Sequence, residues 1–417
     1  MTIALNHLRR PLSRVTSQTL EQIRPGALPV RSFHAVGCWP LQYRTFGGNP
    51  QGRELSEETM DQVFGDNYLL TLLTSSVVIR HRLYPQEASV HSLYCDGMLY
   101  RYLDSHGLIE AGVWDRVDGQ TLDRHIRFDN VDHRIYYSLC KPFAIGEELR
   151  RSEEAAASSG EAPLPVLFVD ADLILKKSHD QLLKHPQTIR AAFGHLETIH
   201  TPCYPDFRSL HFPEGYQLPE RYPTDLPAVN TCLMYFNDFA LAREWSDLFA
   251  GLMMHNQLDT APDALTISQQ LLGFDQRTFP MIAAAHGLWG KGNDYYSKGQ
   301  LEAFVDLEWN GETFLKLREE TRQWHYYTLE HHPQAENWLQ DITHTWINKR
   351  DIERDLPYKL YQGCIMLEML LYLQPNLESC LRSVKSLEPY FELLDTGLSI
   401  EALISQGKLR SKLDKTL

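Results

Sequence analysis

A chain of 417 residues with 43% hydrophobic content can form one large domain with an appendage, or two medium domains, around a sizeable core. Its formal net charge of −14 argues against a general nucleic-acid binder, which needs a basic surface to displace counterions from phosphates. Seven scattered cysteines without a C-x-x-C pair argue against a disulfide framework or a zinc site and for a reducing, cytoplasmic setting. No run of ~18 apolar residues is present, so no transmembrane segment is expected.

Residues 1–31 carry five arginines against one acid, Glu21, together with several Ser and Thr. That composition suits a loose basic arm, with an organelle transit peptide as the alternative. "SFHAVGCW" (32–39) reads as the first strand, bounded by Pro40. A loop with a short helix at Glu57–Val63 follows, and then a helical period over 67–83 that stops before Pro85. "SVHSLYCDG" (89–97) is predicted to be a strand ending at Asp96-Gly97, and "MLYRYLDSHG" (98–107) an amphipathic helix stopped by Gly107. A strand near 112–118 and a helix over about 134–151 come next. The small, acidic "SEEAAASSGEAP" (152–163) reads as an exposed insertion.

"PVLFVDADLILKK" (165–177) is then a buried strand that ends on two acids, Asp170 and Asp172. Residues 202–227 hold six prolines among aromatics, the signature of a long ordered loop, either a functional lid or a rigid surface flap. "PAVNTCLMYF" (227–236) is predicted as a strand, 237–257 as a helix capped by Asn237 or Asp238, and 263–274 as another helix. "TFPMIAAAHGLWGKG" (278–292) is expected to form a last strand running into a glycine-rich loop. From about 300 onward the pattern is helical. It includes "CIMLEMLLYL" (364–373), which is too short to span a membrane and reads as a buried helix. Alternating strands and helices predict an α/β fold with a mainly parallel sheet flanked by helices and a helical C-terminal extension. The expected organisation is a basic arm at 1–31, a catalytic domain at 32–300 and a helical region at 301–417.

In such sheets ligands sit beyond the carboxyl ends of the strands, which puts Asp96, Asp170 and Asp172 along one candidate edge. Two acids at i and i+2 on a strand point to one side, and converge on one cation if the chain turns between them. Mg²⁺ and Mn²⁺ take one or two carboxylates and complete an octahedron with water and phosphate oxygens. An acidic pair thereby serves a substrate more acidic than itself. The plain alternative is that strand-end Asp residues act as turn formers and helix caps.

"VLFVDADLIL" resembles the metal-binding D-x-D strand of GT-A glycosyltransferases, the nucleotide-diphospho-sugar transferases, and the chain is most similar to the glycogenin and galactinol-synthase type. The resemblance covers about 32–298. It implies a GT-A-like (Rossmann-like) fold and Asp170, Asp172 and His286 as ligands of Mn²⁺ or Mg²⁺. It also implies Lys141, from "SLCKPFAI" on the preceding helix, and Lys291, from "HGLWGKG", as contacts to the donor's diphosphate. Asn230 occupies the start of an N-x-G strand motif, although Cys232 stands in place of the glycine. Gln269-Gln270 takes the place of an acid–glutamine pair, without the acid, and gives Gln269 as a site residue. The implied partners are a nucleotide-diphospho-sugar donor and an unidentified acceptor, with no nucleic acid; the motifs lean toward retention of configuration.

Each residue also has a structural alternative. Asp96 is either a turn residue or a contact to the nucleotide's ribose or base, Asn230 a satisfier of local backbone, His286 a satisfied strand-end histidine and Lys291 a solvated loop charge. Glu197, Asp225 and Asp263 are candidate bases by position alone, and the "EHH" at 330–332 suits a surface. Two other functions compete. Haloacid-dehalogenase phosphatases also place D-x-D after an apolar strand, but usually within the first strand of the fold. A catalytically inactive GT-A-like binding protein would explain Cys232 and the missing acid. The C-terminal helices are expected to close over the acceptor, to mediate homo-oligomerisation or to pad the core.

Overall fold

The computed structural model describes residues 29–39, 42, 53–65, 67–83, 89–127, 129–132, 134, 137–171, 173, 189–192, 204–258 and 264–289, and 363–364, 366–367, 370–371 and 373–396 near the C-terminus. The basic arm up to residue 28, Asp172, Glu197, Asp263, Lys291 and the "EHH" stretch lie outside the described residues.

Four buried segments supply the centre of a six-stranded sheet: β1 (Arg31–Val36), β2 (Val90–Cys95), β4 (Val166–Val169) and β6 (Leu233–Phe236). The short strands β3 (Arg116–Asp118) and β5 (Ala191–Ala192) form its edges, and the order is β3-β2-β1-β4-β6-β5. β1 pairs in parallel with β2 and β4, and β2 with β3, whereas β6 runs antiparallel to both β4 and β5. The expected α/β class, with a mostly parallel sheet and helices on its faces, is therefore present, and the sheet is mixed because of β6.

Side chains alternate across the sheet as strand geometry demands. Val166 and Phe168 of β4 and Met234 and Phe236 of β6 enter one apolar cluster; Leu167, Val169, Leu233 and Tyr235 enter another on the opposite face. The first face is covered by α5 (Cys140–Ser159), α6 (Phe239–Met253) and α7 (Ala264–Ala285), with the short α4 (Thr121–His125) beside them. Trp245 of α6 stacks on Phe279 of α7 at a centroid separation of 5.1 Å, and Phe279 lies 5.6 Å from Phe236. On the other side lie α1 (Glu57–Val63), α2 (Asn67–Leu83) and α3 (Gly97–Ser105).

The described C-terminal residues complete that second layer. Two short helices, α8 (Glu378–Arg382) and α9 (Glu388–Thr396), contribute Leu381, Tyr390 and Phe391 to one cluster with Phe64, Leu69 and Leu99. Cys364, Met366, Leu367 and Leu370, from the stretch read as a buried helix, are helical and join them. A buried carboxylate fixes the contact. Asp61 on α1 accepts hydrogen bonds from the Tyr102 hydroxyl (2.9 Å) and the Ser386 backbone N–H (3.0 Å). These residues pad the core, one of the three roles expected for the C-terminal helices.

Three expected elements differ. The "insertion" at 152–163 is mostly helix: α5 runs on to Ser159 and stops at Gly160, whose left-handed φ of 76° suits glycine. Its Ala and Glu content favours helix, and the polar signal marked solvent rather than a loop. Residues 278–285, read as a last strand, instead continue α7, so that 264–285 is one helix with Pro280 inside it. The run "FPMIAAA" cannot be told from a strand by apolar content alone, and its alanines favour helix. The strand predicted at 227–236 is shorter, Leu233–Phe236.

No helix among the described residues is long and apolar enough to cross a membrane.

Candidate functional site

The chain runs outward from β1 to β2 to β3, then returns across β1 to place β4 on its other side. In open α/β sheets this reversal leaves a crevice beyond the carboxyl ends of the two central strands. Asp170 is the first residue past β4 at that point. Its backbone N–H donates to the Cys232 carbonyl at 2.7 Å, extending the pairing of β4 with β6 by one residue. Its carbonyl accepts from the Leu173 N–H at 3.1 Å, so the chain turns immediately, and Leu173 is tied down by the Ser75 hydroxyl of α2. Four buried residues thus lead to a carboxylate whose side chain is 30% exposed.

Lys141, in the first turn of α5, reaches this carboxylate from below. Its Nζ lies 3.5 Å from Asp170 Oδ1, 3.0 Å from Asp275 Oδ2 on α7 and 3.2 Å from Thr231 Oγ1. Thr231 in turn donates to Asp275 Oδ1 at 2.8 Å, and the Lys141 ammonium stands 5.4 Å from the centre of the Phe168 ring. Burial pulls the lysine's pKa down, but the carboxylates of Asp170 and Asp275 more than offset this and leave it above the usual lysine range. The ammonium is therefore a permanent charge between two acids. Asp275 and Thr231 hold it by hydrogen bonds, whereas its contact with Asp170 is a longer ion pair.

Asn230 sits in the same junction. Its Oδ1 accepts the Cys232 N–H at 2.9 Å, forming the turn from which Cys232 then receives Asp170. The local-backbone role weighed for Asn230 is thus present, and it shapes the ground on which Asp170 stands. Next to it, the Val229 N–H donates to the Gln276 carbonyl at 2.9 Å, and the Tyr204 hydroxyl donates to the Gln276 side chain. Arg277 donates to the carbonyls of Pro205, Thr224 and Leu226. One turn of α7, Asp275–Arg277, therefore fastens Lys141, the entry to β6 and both ends of the proline-rich loop 204–227.

Lys141 and Asp170 are the predicted site residues that meet here, with Asn230 close by in sequence. Three others are placed differently. Asp96 is 1% exposed and serves as the N-cap of α3: it accepts the Leu99 N–H at 2.7 Å and the Cys38 N–H beyond β1. Burial raises its pKa to about 7, against the pull of those two N–H groups. Both oxygens thus accept from backbone, as in the turn-and-cap alternative for this residue. Gln269 precedes Asp275 by six residues, about 9 Å along the helix and on a different side of it. Its neighbour Gln270 is buried and clamps the backbone of His211 in the proline-rich loop, accepting the N–H at 2.9 Å and donating to the carbonyl.

His286 follows the end of α7, about 16 Å along the helix from Asp275. Its Nε2 donates to Glu244 Oε2 at 2.9 Å, and Arg190 Nη2 lies 3.5 Å from its Nδ1. Arg190 receives the chain leaving β6, since its carbonyl accepts the N–H groups of Asn237 and Asp238. Because β6 is antiparallel to β4, that is the opposite end of the sheet from Asp170. The alternative of a satisfied histidine describes His286, which follows a helix and not the expected strand. Asp225 is exposed in the proline-rich loop. Lys291 and Asp172 lie outside the described residues.

Asp275 and Thr231 were missed. A signal for Asp275 was present, because the Asp–Gln pair that the resemblance asks for is spelled out at Asp275-Gln276, six residues beyond the glutamines taken in its place. Thr231 carried none.

A magnesium or manganese ion suits Asp170 as one carboxylate ligand: the group is partly exposed, anionic and at the end of a strand, and such ions accept a single carboxylate beside phosphate and water. Among the described residues no group of three or more His, Cys, Asp or Glu side chains could hold a metal by itself. Cys38, Cys95 and Cys140 near the ends of β1 and β2 are buried, which raises their pKa values and keeps them as unreactive thiols. No protein-family model matches the chain, and no curated protein is significantly similar to it in sequence.

Proposed function

We propose that the chain is a metal-dependent glycosyltransferase of GT-A-like fold, moving a sugar from a nucleotide-diphospho-sugar to an acceptor. The observation that carries the reading is the position of Asp170: first residue beyond a central parallel strand, at the switch point between β1 and β4, partly exposed and paired with a buried lysine. Phosphorylated ligands of open α/β sheets bind at such crevices. The literal Asp275-Gln276 pair, brought to Lys141 by α7, adds a second motif of the resemblance and removes one of its departures.

In this reading Asp170 and Asp172 hold Mg²⁺ or Mn²⁺, which when bound neutralises the charge that grows on the departing diphosphate. Asn230 and Cys232 fix the backbone that aims Asp170. Lys141 pairs with that carboxylate and ties it to α7. His286, Asp96 and Gln269 take no part in this version of the site; the remaining ligands come from the donor's oxygens and water.

The test is calorimetric titration of the full chain with UDP, GDP and their sugars, with and without Mn²⁺, alongside an assay for sugar release. Mn²⁺-dependent binding with slow release of sugar supports the transferase. Release of phosphate from a monoester with no response to sugar nucleotides supports the haloacid-dehalogenase alternative. Tight binding with no turnover on any acceptor supports a binding protein.

A further inference from the structure

His211 is an exposed residue of the proline-rich loop, yet both its backbone and its ring are held. Gln270 of α7 accepts its N–H and donates to its carbonyl, and Asn256 Nδ2 donates to the same carbonyl at 2.8 Å. The ring places Nδ1 2.7 Å from Asn256 Oδ1. Asn256 settles which group donates in that bond. Its Nδ2 faces two carbonyls, those of His211 and of Leu252 at 2.9 Å, so Oδ1 is the acceptor and His211 Nδ1 carries the hydrogen. In the neutral ring the lone pair is then on Nε2, which has no partner among the described residues. An imidazole oriented through one nitrogen by a side-chain amide, with the other nitrogen bare, has the arrangement of a general base. The backbone that delivers Asn256 is itself unusual. His255 has a φ of 57° and is the one non-glycine residue with a positive φ among the described residues. Its N–H donates to the Asn130 carbonyl at 2.7 Å, and the next residue, Asn256, is fully buried. Strained positions of this kind cluster at functional sites. The loop also lies at the Asp170 end of the sheet: Gln270 precedes Asp275 on α7, away from His286, and stands about 7.5 Å further out along the helix axis.

We infer that His211 is a general base whose Nε2 takes the proton of a substrate hydroxyl, with Asn256 as the positioning residue that fixes its tautomer. The inference takes the identity of that hydroxyl, the sugar acceptor's, from the transferase reading above, and it requires no metal. In the step, the acceptor O–H bond breaks and its proton passes to Nε2. The acceptor oxygen forms a bond to the anomeric carbon of the sugar, and the bond from that carbon to the diphosphate breaks, its electron pair leaving on the diphosphate. The resulting imidazolium keeps its Nδ1–H on Asn256 Oδ1, so the ring holds its orientation through the transfer. Lys141 cannot take this proton, because it is a permanent cation, and Asp275 is buried and bonded to Lys141 and Thr231.

Two measurements on the full chain test this. Nitrogen-15 NMR of the neutral His211 ring is expected to show Nδ1 protonated and Nε2 bare; an Nε2–H tautomer overturns the inference without any assay. Turnover of UDP and GDP sugars is then compared among variants. His211→Asn retains an N–H where Nδ1 stands, and so the bond to Asn256, but has no counterpart of Nε2. It is expected to keep the melting profile and the donor affinity of wild type and to lose about a hundredfold or more in turnover, the scale of one general base. His211→Ala is expected to lose as much and to regain at least about tenfold when free imidazole is supplied. Turnover equal to wild type in folded His211→Asn overturns the inference and leaves the transferase reading standing. A loss in His211→Ala that imidazole does not repair assigns His211 to holding the loop and likewise overturns it. Wild type that consumes no sugar nucleotide overturns the transferase reading, and the role of His211 with it.

Discussion

Lys141 and Asp275 meet at 3.0 Å across 134 residues of chain, joining the first turn of α5 to the middle of α7 beneath the end of β4. Both side chains are almost fully buried. Removing either one strands a charge away from water, which costs about 3–5 kcal/mol for a buried pair. Lys141→Met and Asp275→Asn are each expected to lower stability on that scale in urea unfolding. The double variant should lose clearly less than the sum, with a coupling of at least ~1 kcal/mol. Strict additivity would mean that the two groups do not depend on each other.

A second buried feature predicts how stability responds to acid. His34 on β1 donates Nδ1–H to the Val169 carbonyl at 2.7 Å, and its ring meets that of His91 on β2 edge to face at 5.2 Å. Burial lowers the His34 pKa to about 4, against a smaller upward pull from Val169, and burial also pushes His91 well below its ordinary value. An unfolded histidine titrates near 6.5. Between about 6.5 and 4 the unfolded chain takes up protons that the folded one refuses, so the contribution is complete above 6.5 and is lost as the pH falls. Asp96, raised to about 7, acts in the opposite sense over much of the same range. The stability gap between wild type and His34→Gln isolates the histidine. It should shift against wild type by about 2 kcal/mol between pH 7.5 and pH 5. A gap that does not move with pH contradicts the burial of a neutral His34.

The proline-rich loop hangs on Gln270. Its side-chain amide makes both of its bonds to the backbone of His211, and the Asn256 side chain meets the same residue, donating to its carbonyl at 2.8 Å. Gln270→Ala removes both bonds to the backbone of His211, an exposed residue, at about 0.5–1.5 kcal/mol each. Hydrogen exchange should show faster exchange at the His211 amide and its neighbours, with the β1 and β4 amides unchanged. Protection at His211 equal to wild type would show that other contacts set the loop.

Asp61 performs the same service for the C-terminal helices. It accepts from Tyr102 and from the Ser386 backbone at 2.9 and 3.0 Å. Asp61→Ala is expected to cost about 1–3 kcal/mol and to open the Ser386 amide to exchange before the central strands. Simultaneous exchange of both regions would instead show one cooperative unit.

The sequence was most legible where local chemistry and packing agree. Helices at 57–63 and 67–83 and the strand at 90–95 have bounds within a residue or so of those expected, since caps, periodicity and breakers all point the same way there. It was least legible where one signal had two meanings. "FPMIAAA" is apolar enough for a strand yet forms the last turns of α7, and that choice moved His286 to the far end of the sheet. The acidic, small-residue run at 152–163 was read by polarity when its alanines carried the helix. Asp170 stands out because an apolar strand ending on an acid is a strong local pattern, whereas Lys141 comes from the resemblance alone. Asp275-Gln276 carries the local signal, but Gln269-Gln270 stands in its place in the reading, and the meeting of Asp275 with Lys141 is a long-range contact that no local pattern encodes.

The most direct measurement is Mn²⁺-dependent binding of nucleotide diphosphates to the full chain, compared among wild type, Asp170→Asn and Asp172→Asn. Wild type should bind UDP or GDP more tightly with Mn²⁺ than without, and both folded variants should lose that metal-dependent gain. Metal-dependent affinity equal to wild type in either folded variant, or no gain from Mn²⁺ in wild type with any nucleotide, would contradict a cation held at the end of β4.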